Sequence, residues 1–383
     1  MEPPREEIGT RDGRNVSPGL GQLLGEGAAQ QVKPPPERAA PDLLPTVAKE
    51  EPGSPTYYGL PVLKEPVWTW EIPAYFFTGG LAGACAVLAG AAQLAGRAPS
   101  RALVRRARLL AAGGAAASAA LLIDDLGRPG RFGAMLRVFR PSSPMNQGTW
   151  VLSGFGAFST AAAAGAVLSL PRPLRGASEA AGLGAALLGL PLVGYTGVLL
   201  ANTAVPLWQM TGNTLPLLFA FSGAVSAGAA FDLWPVPGPG ATMARRFGLV
   251  AKGAELALSR IMHLEASAVP RVEMALRRGR AGRLLRLARI ALLASVALDL
   301  LPPRGRGRRL ASGALAMAGT LAVRFGVVAA GRASARDPRA TFEMQRAGHG
   351  AAEIVREKKR PMPAPPGVDV GGRESYQHGA APP

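Results

Sequence analysis

Residues 72–96 read IPAYFFTGGLAGACAVLAGAAQLAG and contain no charged side chain. A helix of this length spans roughly 37 Å at about 1.5 Å per residue, which exceeds the roughly 30 Å of hydrocarbon in a bilayer. The many Ala and Gly residues suit helices that pack closely in lipid, where small side chains let backbones approach. The segment therefore predicts a transmembrane helix.

Similar apolar stretches recur along the chain after this first one. They lie at about 107–126, 148–170, 180–201, 215–233, 247–268, 285–301 and 310–331. Together they predict an all-α fold, a polytopic transmembrane bundle of about eight helices. Charged residues interrupt the sixth stretch, so an amphipathic helix on the membrane surface is an alternative there.

Polar tails flank the predicted bundle. Residues 1–56 and 347–383 are rich in Pro, Gly and charged residues and lack a periodic apolar face. Such composition cannot bury enough apolar surface to fold and predicts disorder. We therefore expect a transmembrane domain over residues 57–346 between two disordered tails.

Composition excludes several classes of function. The net charge of +18 comes from 43 Lys and Arg against 25 Asp and Glu. Most of the arginines lie between apolar stretches, which favours lipid headgroups over nucleic acid as their partner. The lone cysteine, Cys85, excludes a Cys-ligated iron–sulfur cluster, and His263 is the one histidine in a predicted span. A haem held inside the bilayer by two histidines of this chain is therefore excluded, and no metal site is predicted.

Polar residues gather at one end of the predicted bundle. Eight crossings place both tails and the loops after the second, fourth and sixth spans on one side, here called side A; the opposite side is side B. Basic residues are about equally frequent on both, so orientation stays open. Charged groups at membrane depth are costly and usually mark a functional cavity, although aromatic belts and helix caps are an alternative explanation. The residues expected on side A are Trp70, Glu71, Tyr75, Asp124, Asp125, Arg128, Trp150, Tyr195, Asn202, His263, Glu265 and Arg324.

Several motifs occur in a fixed order along the chain. They are Tyr57-Tyr58-Gly59 with Pro61, PVWTWEIPAYFFTGG at 66–80, DLGRP at 125–129, SPM at 143–145, and a C-terminal group between Arg324 and Pro338. In this order, over residues 57–346, the chain resembles the NrfD/polysulfide reductase membrane-subunit family. The resemblance implies a quinone-interacting integral membrane subunit of a bacterial respiratory oxidoreductase.

The resemblance also implies a cofactor and partners. The cofactor is menaquinone or another quinone, with no haem or iron–sulfur cluster in this chain. Electrons would pass to or from a ferredoxin-like 4Fe-4S subunit and, through it, a molybdopterin or multihaem catalytic subunit. The expected location is the bacterial inner membrane, crossed many times, and the chain is not expected to be an enzyme alone.

The side A residues suggest roles in quinone chemistry. Candidate headgroup contacts are Tyr75, Trp70, Tyr195, Asn202 and His263; candidate proton acceptors are Glu71 and Asp125, with Arg128 holding Asp125. The first helix lacks a histidine that some family members use at the quinone, and Glu71 and Tyr75 stand there instead.

Two other functions fit the same pattern. A secondary transporter is one, with Pro191 and Pro216 as possible helix breaks, although no internal repeat relates two halves of the chain. A membrane anchor without a quinone site is the other. Toward side B, the carboxylates of Asp232, Glu255 and Asp299 fit either a proton path or structural pairing with Lys252 or loop arginines.

Overall fold

The computed structural model describes residues 16–17, 22–23, 62–96, 101–127, 130–302 and 305–348. Within the first 60 residues, strands β1 (Val16–Ser17) and β2 (Gln22–Leu23) pair antiparallel, with Val16 opposite Leu23. The predicted disorder of the two tails otherwise lies outside the described residues and stays a prediction. Residues 61–383 form a second unit.

The described part of this second unit is helical. Its helices are α1 (Glu71–Leu94), α2 (Arg101–Asp125), α3 (Gly130–Met135), α4 (Pro144–Val167), α5 (Arg172–Ala201), α6 (Pro206–Met210), α7 (Thr214–Leu233), α8 (Pro239–Ser267), α9 (Pro270–Arg277), α10 (Gly279–Leu300), α11 (Arg306–Arg336) and α12 (Pro338–Arg346). The prediction of an all-α, polytopic bundle is confirmed.

Composition supports six of the eight predicted spans. Helices α1, α2, α4, α5, α7 and α11 are long and apolar enough to cross a membrane. Helices α8 and α10 correspond to the predicted sixth and seventh spans, but their many charged residues keep them out of this group. Both nevertheless pack along their neighbours, α8 against α7 and α10 against α11.

Helix α8 does not have the character of a surface helix. Its buried face contains Lys252 and Glu255, each about 1% exposed, whereas Val250 and Leu264 are among its exposed side chains. An amphipathic surface helix would direct its charges to water and its apolar face inward. The alternative of a surface helix at the sixth stretch therefore fits this packing poorly.

The eight long helices form two groups of four. Helices α1, α2, α4 and α5 make the first bundle, and α7, α8, α10 and α11 make the second. At the seam, α7 packs against both α1 and α5. Gly80 of α1 faces Gly223 of α7 there, and a Cβ on Gly223 would lie 2.7 Å from the Gly80 carbonyl oxygen. The absence of side chains here lets the two backbones touch, as in close packing of membrane helices.

Contacts between helix ends confirm which ends lie together. At the A end, the Trp208 indole Nε1 donates to the Val327 carbonyl at 3.0 Å, and Trp68 stacks on Trp208 with ring centroids 5.4 Å apart. At the B end, Arg108 Nη2 lies 2.7 Å from Glu179 Oε2. The long helices therefore run alternately between the two ends, as the sequence predicts.

Glu65 ties the segment before α1 to the end of α11 at the A end. Its carboxylate accepts hydrogen bonds from Arg332 Nε at 2.6 Å and from Arg336 Nη2 at 2.7 Å. The Arg336 hydrogen bond, aided by Arg332 and opposed by burial, lowers the pKa of Glu65 from its ordinary value. A lowered folded-state pKa means that the stabilisation is present above the unfolded pKa and is lost as pH falls through the folded pKa.

We therefore expect the Glu65 contact to be sensitive to acid. Wild type should have a higher thermal unfolding midpoint than Glu65→Gln near about pH 7, and the difference should shrink as pH falls below the ordinary carboxyl range and through the lowered folded-state pKa of Glu65. Thermal unfolding of both proteins in detergent across this range measures the effect. Parallel pH profiles would show that the Glu65 contact adds no pH-dependent stability.

Candidate functional site

Two tyrosines meet in the A half of the first bundle. Tyr75 on α1 and Tyr195 on α5 are 4% and 9% exposed, and their phenols are close enough to interact electrostatically. Tyr75 also packs against Phe76, with ring centroids 5.6 Å apart. Gly148 on α4 lies against the Tyr195 ring, where any Cβ would overlap it. The glycine therefore sets the position of the second phenol.

The Tyr195 hydroxyl is a buried donor without a hydrogen-bond partner among the described residues. The backbone N–H of Gly148 lies near the phenol oxygen, but the two do not meet hydrogen-bond geometry. Buried polar groups are almost always bonded in folded proteins, and exceptions concentrate where a ligand or function supplies the partner. The hydroxyl can therefore donate to a ligand oxygen.

Carboxylates stand at the rim above the tyrosines. Glu71 begins α1 and accepts a hydrogen bond from the Thr69 hydroxyl. Asp125 ends α2 and is exposed, and both Glu71 and Asp124 act on its carboxylate electrostatically. Acids grouped in this way can exchange protons with water on side A.

A second polar layer lies deeper between α1 and α2. The hydroxyls of Thr78 and Ser118 are 2.8 Å apart, and a Cβ on Gly79 would lie 3.5 Å from Ser118 Oγ and 3.9 Å from the Tyr75 ring. Sequence reasoning missed Thr78, Ser118 and Gly148. Thr78 had a usable signal, since it follows Tyr75 by three residues on one helix face.

A comparison with family models identifies the segment that carries this site. A model described as "Polysulphide reductase, NrfD" matches residues 61–236. Residues 61–236, here called the NrfD segment, are therefore similar to the NrfD family. A comparison with curated proteins finds no match. The resemblance is thus confirmed over α1 to α7, while the Tyr57-Tyr58-Gly59 motif and the C-terminal motifs lie outside the matched range.

The NrfD segment contains the whole tyrosine and carboxylate cluster. It spans the first bundle and α7, and it includes Tyr75, Tyr195, Glu71 and Asp125. Similarity to this family implies a membrane subunit of a quinone-interacting oxidoreductase.

Other predicted site residues of the NrfD segment lie apart from this cluster. Trp70 is 60% exposed and lines a hollow between α1, α10 and α11, away from the two tyrosines. Asn202 is exposed, donates its amide to Val198 of its own helix at 2.8 Å, and lies about 10 Å along the helix axis from Tyr195. Arg128 lies outside the described residues.

His263 lies beyond the NrfD segment, in the second bundle. With Glu255 and Arg289 it lines a small cavity of about 20 Å³, large enough for about one water molecule. His263 therefore lies at the same end of the bundle as Tyr75 and Tyr195 but is not part of their cluster.

The second bundle contains a buried ion pair toward side B. Lys252 Nζ lies 2.7 Å from Asp299 Oδ2, and the Ser312 hydroxyl donates to Asp299 Oδ1 at 2.8 Å. This geometry supports structural pairing over a proton path for Asp299. Glu255 instead faces Arg324, whose Nη2 donates to the Phe219 carbonyl at 2.7 Å and whose guanidinium lies 3.9 Å from the Phe219 ring centroid.

The first bundle also has a polar cluster toward side B. The buried Arg108 side chain contacts Glu179 at 2.7 Å and the Gln93 amide oxygen at 2.8 Å. The expectation that in-membrane polar groups crowd side A is therefore incomplete, because Arg108 was counted only among the basic residues near the spans on side B and not as part of a buried polar cluster.

Proposed function

We propose that this chain is the quinone-reactive membrane subunit of a bacterial respiratory oxidoreductase and resides in the inner membrane. The observation that carries the proposal is the buried, unpartnered Tyr195 hydroxyl beside Tyr75 within the NrfD segment. A quinone carbonyl is a hydrogen-bond acceptor without a donor of its own, so it matches a buried phenol. The donors present therefore fit a quinone headgroup.

Each residue of the cluster has a distinct role in this proposal. A bound quinone or quinol supplies two-electron, two-proton chemistry. Tyr195 donates a hydrogen bond to one carbonyl oxygen and orients the ring, with Tyr75 beside it. Glu71 and Asp125 hold or release protons at the rim, where Asp125 is exposed to water on side A.

Electrons must be exchanged with another subunit. The sequence has one cysteine, which cannot ligate an iron–sulfur cluster by itself. The short helices α3, α6 and α9 connect long helices at the A end, α12 follows α11 at the same end, and together they build a broad face there. A ferredoxin-like 4Fe-4S subunit docked on this face would stand nearest the tyrosines, with a molybdopterin or multihaem subunit beyond it.

Binding of a quinone to the purified chain tests the proposal. A menaquinone analogue should quench the intrinsic fluorescence saturably, and Tyr195→Phe should weaken its affinity about tenfold, equivalent to ~1.4 kcal/mol. Asn202→Ala is the matched control, since its amide bonds its own helix, and it should bind as wild type does. The same affinity for Tyr195→Phe and wild type, in folded protein with its iron–sulfur partner, would remove the basis of the quinone site.

The alternative functions make different predictions. A transporter of the broken-helix type requires discontinuous spans, but Pro191 lies inside the continuous helix α5 and Pro216 lies in the first turn of α7. A bare anchor requires only assembly. It therefore predicts unchanged electron transfer when Tyr195 or Asp125 is substituted, whereas the quinone proposal predicts loss with the complex intact.

A further inference from the structure

A hollow of about 480 Å³ opens at the A end, between the start of α1, the start of α10 and the end of α11. Four arginines line it: Arg278, Arg280, Arg332 and Arg336. This hollow is a separate feature from the tyrosine cluster, which is built from α1, α2, α4 and α5. Its volume exceeds that of the cavity beside His263, about 20 Å³, and that of a hollow beside Asp232, about 230 Å³.

The positive charge of the hollow is only partly balanced. Glu65 pairs with both Arg332 and Arg336. Arg278 and Arg280 are exposed and have no acidic partner among the described residues. Arg278 and Arg280 carry two positive charges, and Arg332 and Arg336 share the single negative charge of Glu65. The hollow therefore has an excess of positive charge and attracts an anionic group.

The walls of the hollow are apolar. Leu284 on α10 and Phe325 and Val328 on α11 line it below the arginines, and Trp68 and Trp70 stand at the start of α1. Tryptophans and arginines at helix ends mark the headgroup level of a membrane. The hollow thus places cations above an apolar wall at the depth where a lipid changes from headgroup to acyl chain.

We propose that this hollow binds an anionic phospholipid. Arg278 and Arg280 contact the phosphate, and an acyl chain lies along Leu284, Phe325 and Val328. Basic pockets between membrane helices bind anionic headgroups in this manner. A free phosphate would contact the arginines but not the apolar wall. A soluble acidic protein would not reach into the hollow. The proposal is independent of the quinone site.

Lipid binding to the full chain in neutral-lipid nanodiscs tests this proposal. Titration with cardiolipin or phosphatidylglycerol, followed by native mass spectrometry, should show saturable binding to wild type. The double variant Arg278→Gln/Arg280→Gln should bind at least about tenfold more weakly, since each arginine near a membrane surface contributes measurably to anionic lipid affinity. Arg278→Lys/Arg280→Lys keeps the charge and should retain most of the affinity.

A matched pair on the same helix serves as the control. Arg283 and Arg286 lie on α10 but do not line the hollow, so Arg283→Gln/Arg286→Gln removes equal charge and should change affinity less than about threefold. Equal loss in both double variants, or no loss in either, would overturn the site. Inorganic phosphate that displaces the lipid at low millimolar concentration would likewise show a phosphate site and contradict a lipid one. Leu284→Gln, which leaves every arginine in place, should also weaken binding of the lipid.

Discussion

Asp299→Leu should lower the free energy of unfolding by about 3–5 kcal/mol, because removal of one partner from a buried ion pair leaves the other charge in the protein interior. Lys252 is about 1% exposed, and its ammonium lies 2.7 Å from Asp299 and 3.3 Å from the Ser312 hydroxyl. After the substitution, the Ser312 hydroxyl at 3.3 Å remains as a hydrogen-bond partner of the ammonium, but it carries no negative charge. Unfolding by a denaturing detergent, followed by circular dichroism, measures the loss.

Two controls separate the ion pair from other causes. The double variant Lys252→Met/Asp299→Leu removes both charges and should recover most of the lost stability, as apolar replacements of buried pairs often do. Arg260→Gln removes an exposed cation from α8, the helix that carries Lys252, and should change the free energy of unfolding by less than about 0.5 kcal/mol. A double variant as unstable as Asp299→Leu would show that packing, not charge, causes the loss.

Gly148→Ala should disturb the tyrosine cluster more than its small size suggests. A Cβ at this position overlaps the Tyr195 ring, so either the ring or α4 must move. Overpacking of this kind costs about 1–3 kcal/mol. Because the ring carries the proposed donor, we also expect affinity for a menaquinone analogue to fall at least about tenfold, by analogy with the loss of one hydrogen bond.

Gly156 provides the matched control on the same helix. A Cβ there meets no atom within 4 Å, so Gly156→Ala adds the same methyl group to open space. It should leave quinone affinity unchanged and should not reduce stability, since alanine favours helix over glycine. Equal effects of the two substitutions on quinone binding would argue against a specific role for the Gly148 contact.

The apolar pattern predicted the long helices well but placed several of their starts too late. Helix α2 was expected from residue 107 and begins at Arg101, and α5 was expected from residue 180 and begins at Arg172. Arginine and glutamate were read as loop residues there. Within the bundle, Arg108 and Glu179 pair with each other, so their charges are compatible with helix near the membrane boundary.

The sequence predicted at which end of the bundle each site residue lies, but not which helices contact each other there. Alternation of spans places Tyr75, Tyr195 and His263 at one end, which the structure agrees with. It does not determine which helices touch, because the order of packing depends on small residues such as Gly80, Gly148 and Gly223 rather than on span length. For this reason the sequence grouped His263 with the tyrosines, and the structure separates them.

Photoaffinity labelling with an azido-menaquinone would locate the quinone directly. The labelled chain, in complex with the proposed iron–sulfur subunit, would be digested and the modified peptides identified by mass spectrometry. We predict modification of α1 near Tyr75 or of α5 near Tyr195, suppressed by excess unlabelled menaquinone and lost in the Gly148→Ala variant. Competable label confined to α8 and α10 around His263, or label that unlabelled quinone does not suppress, would contradict a quinone site at the tyrosine pair.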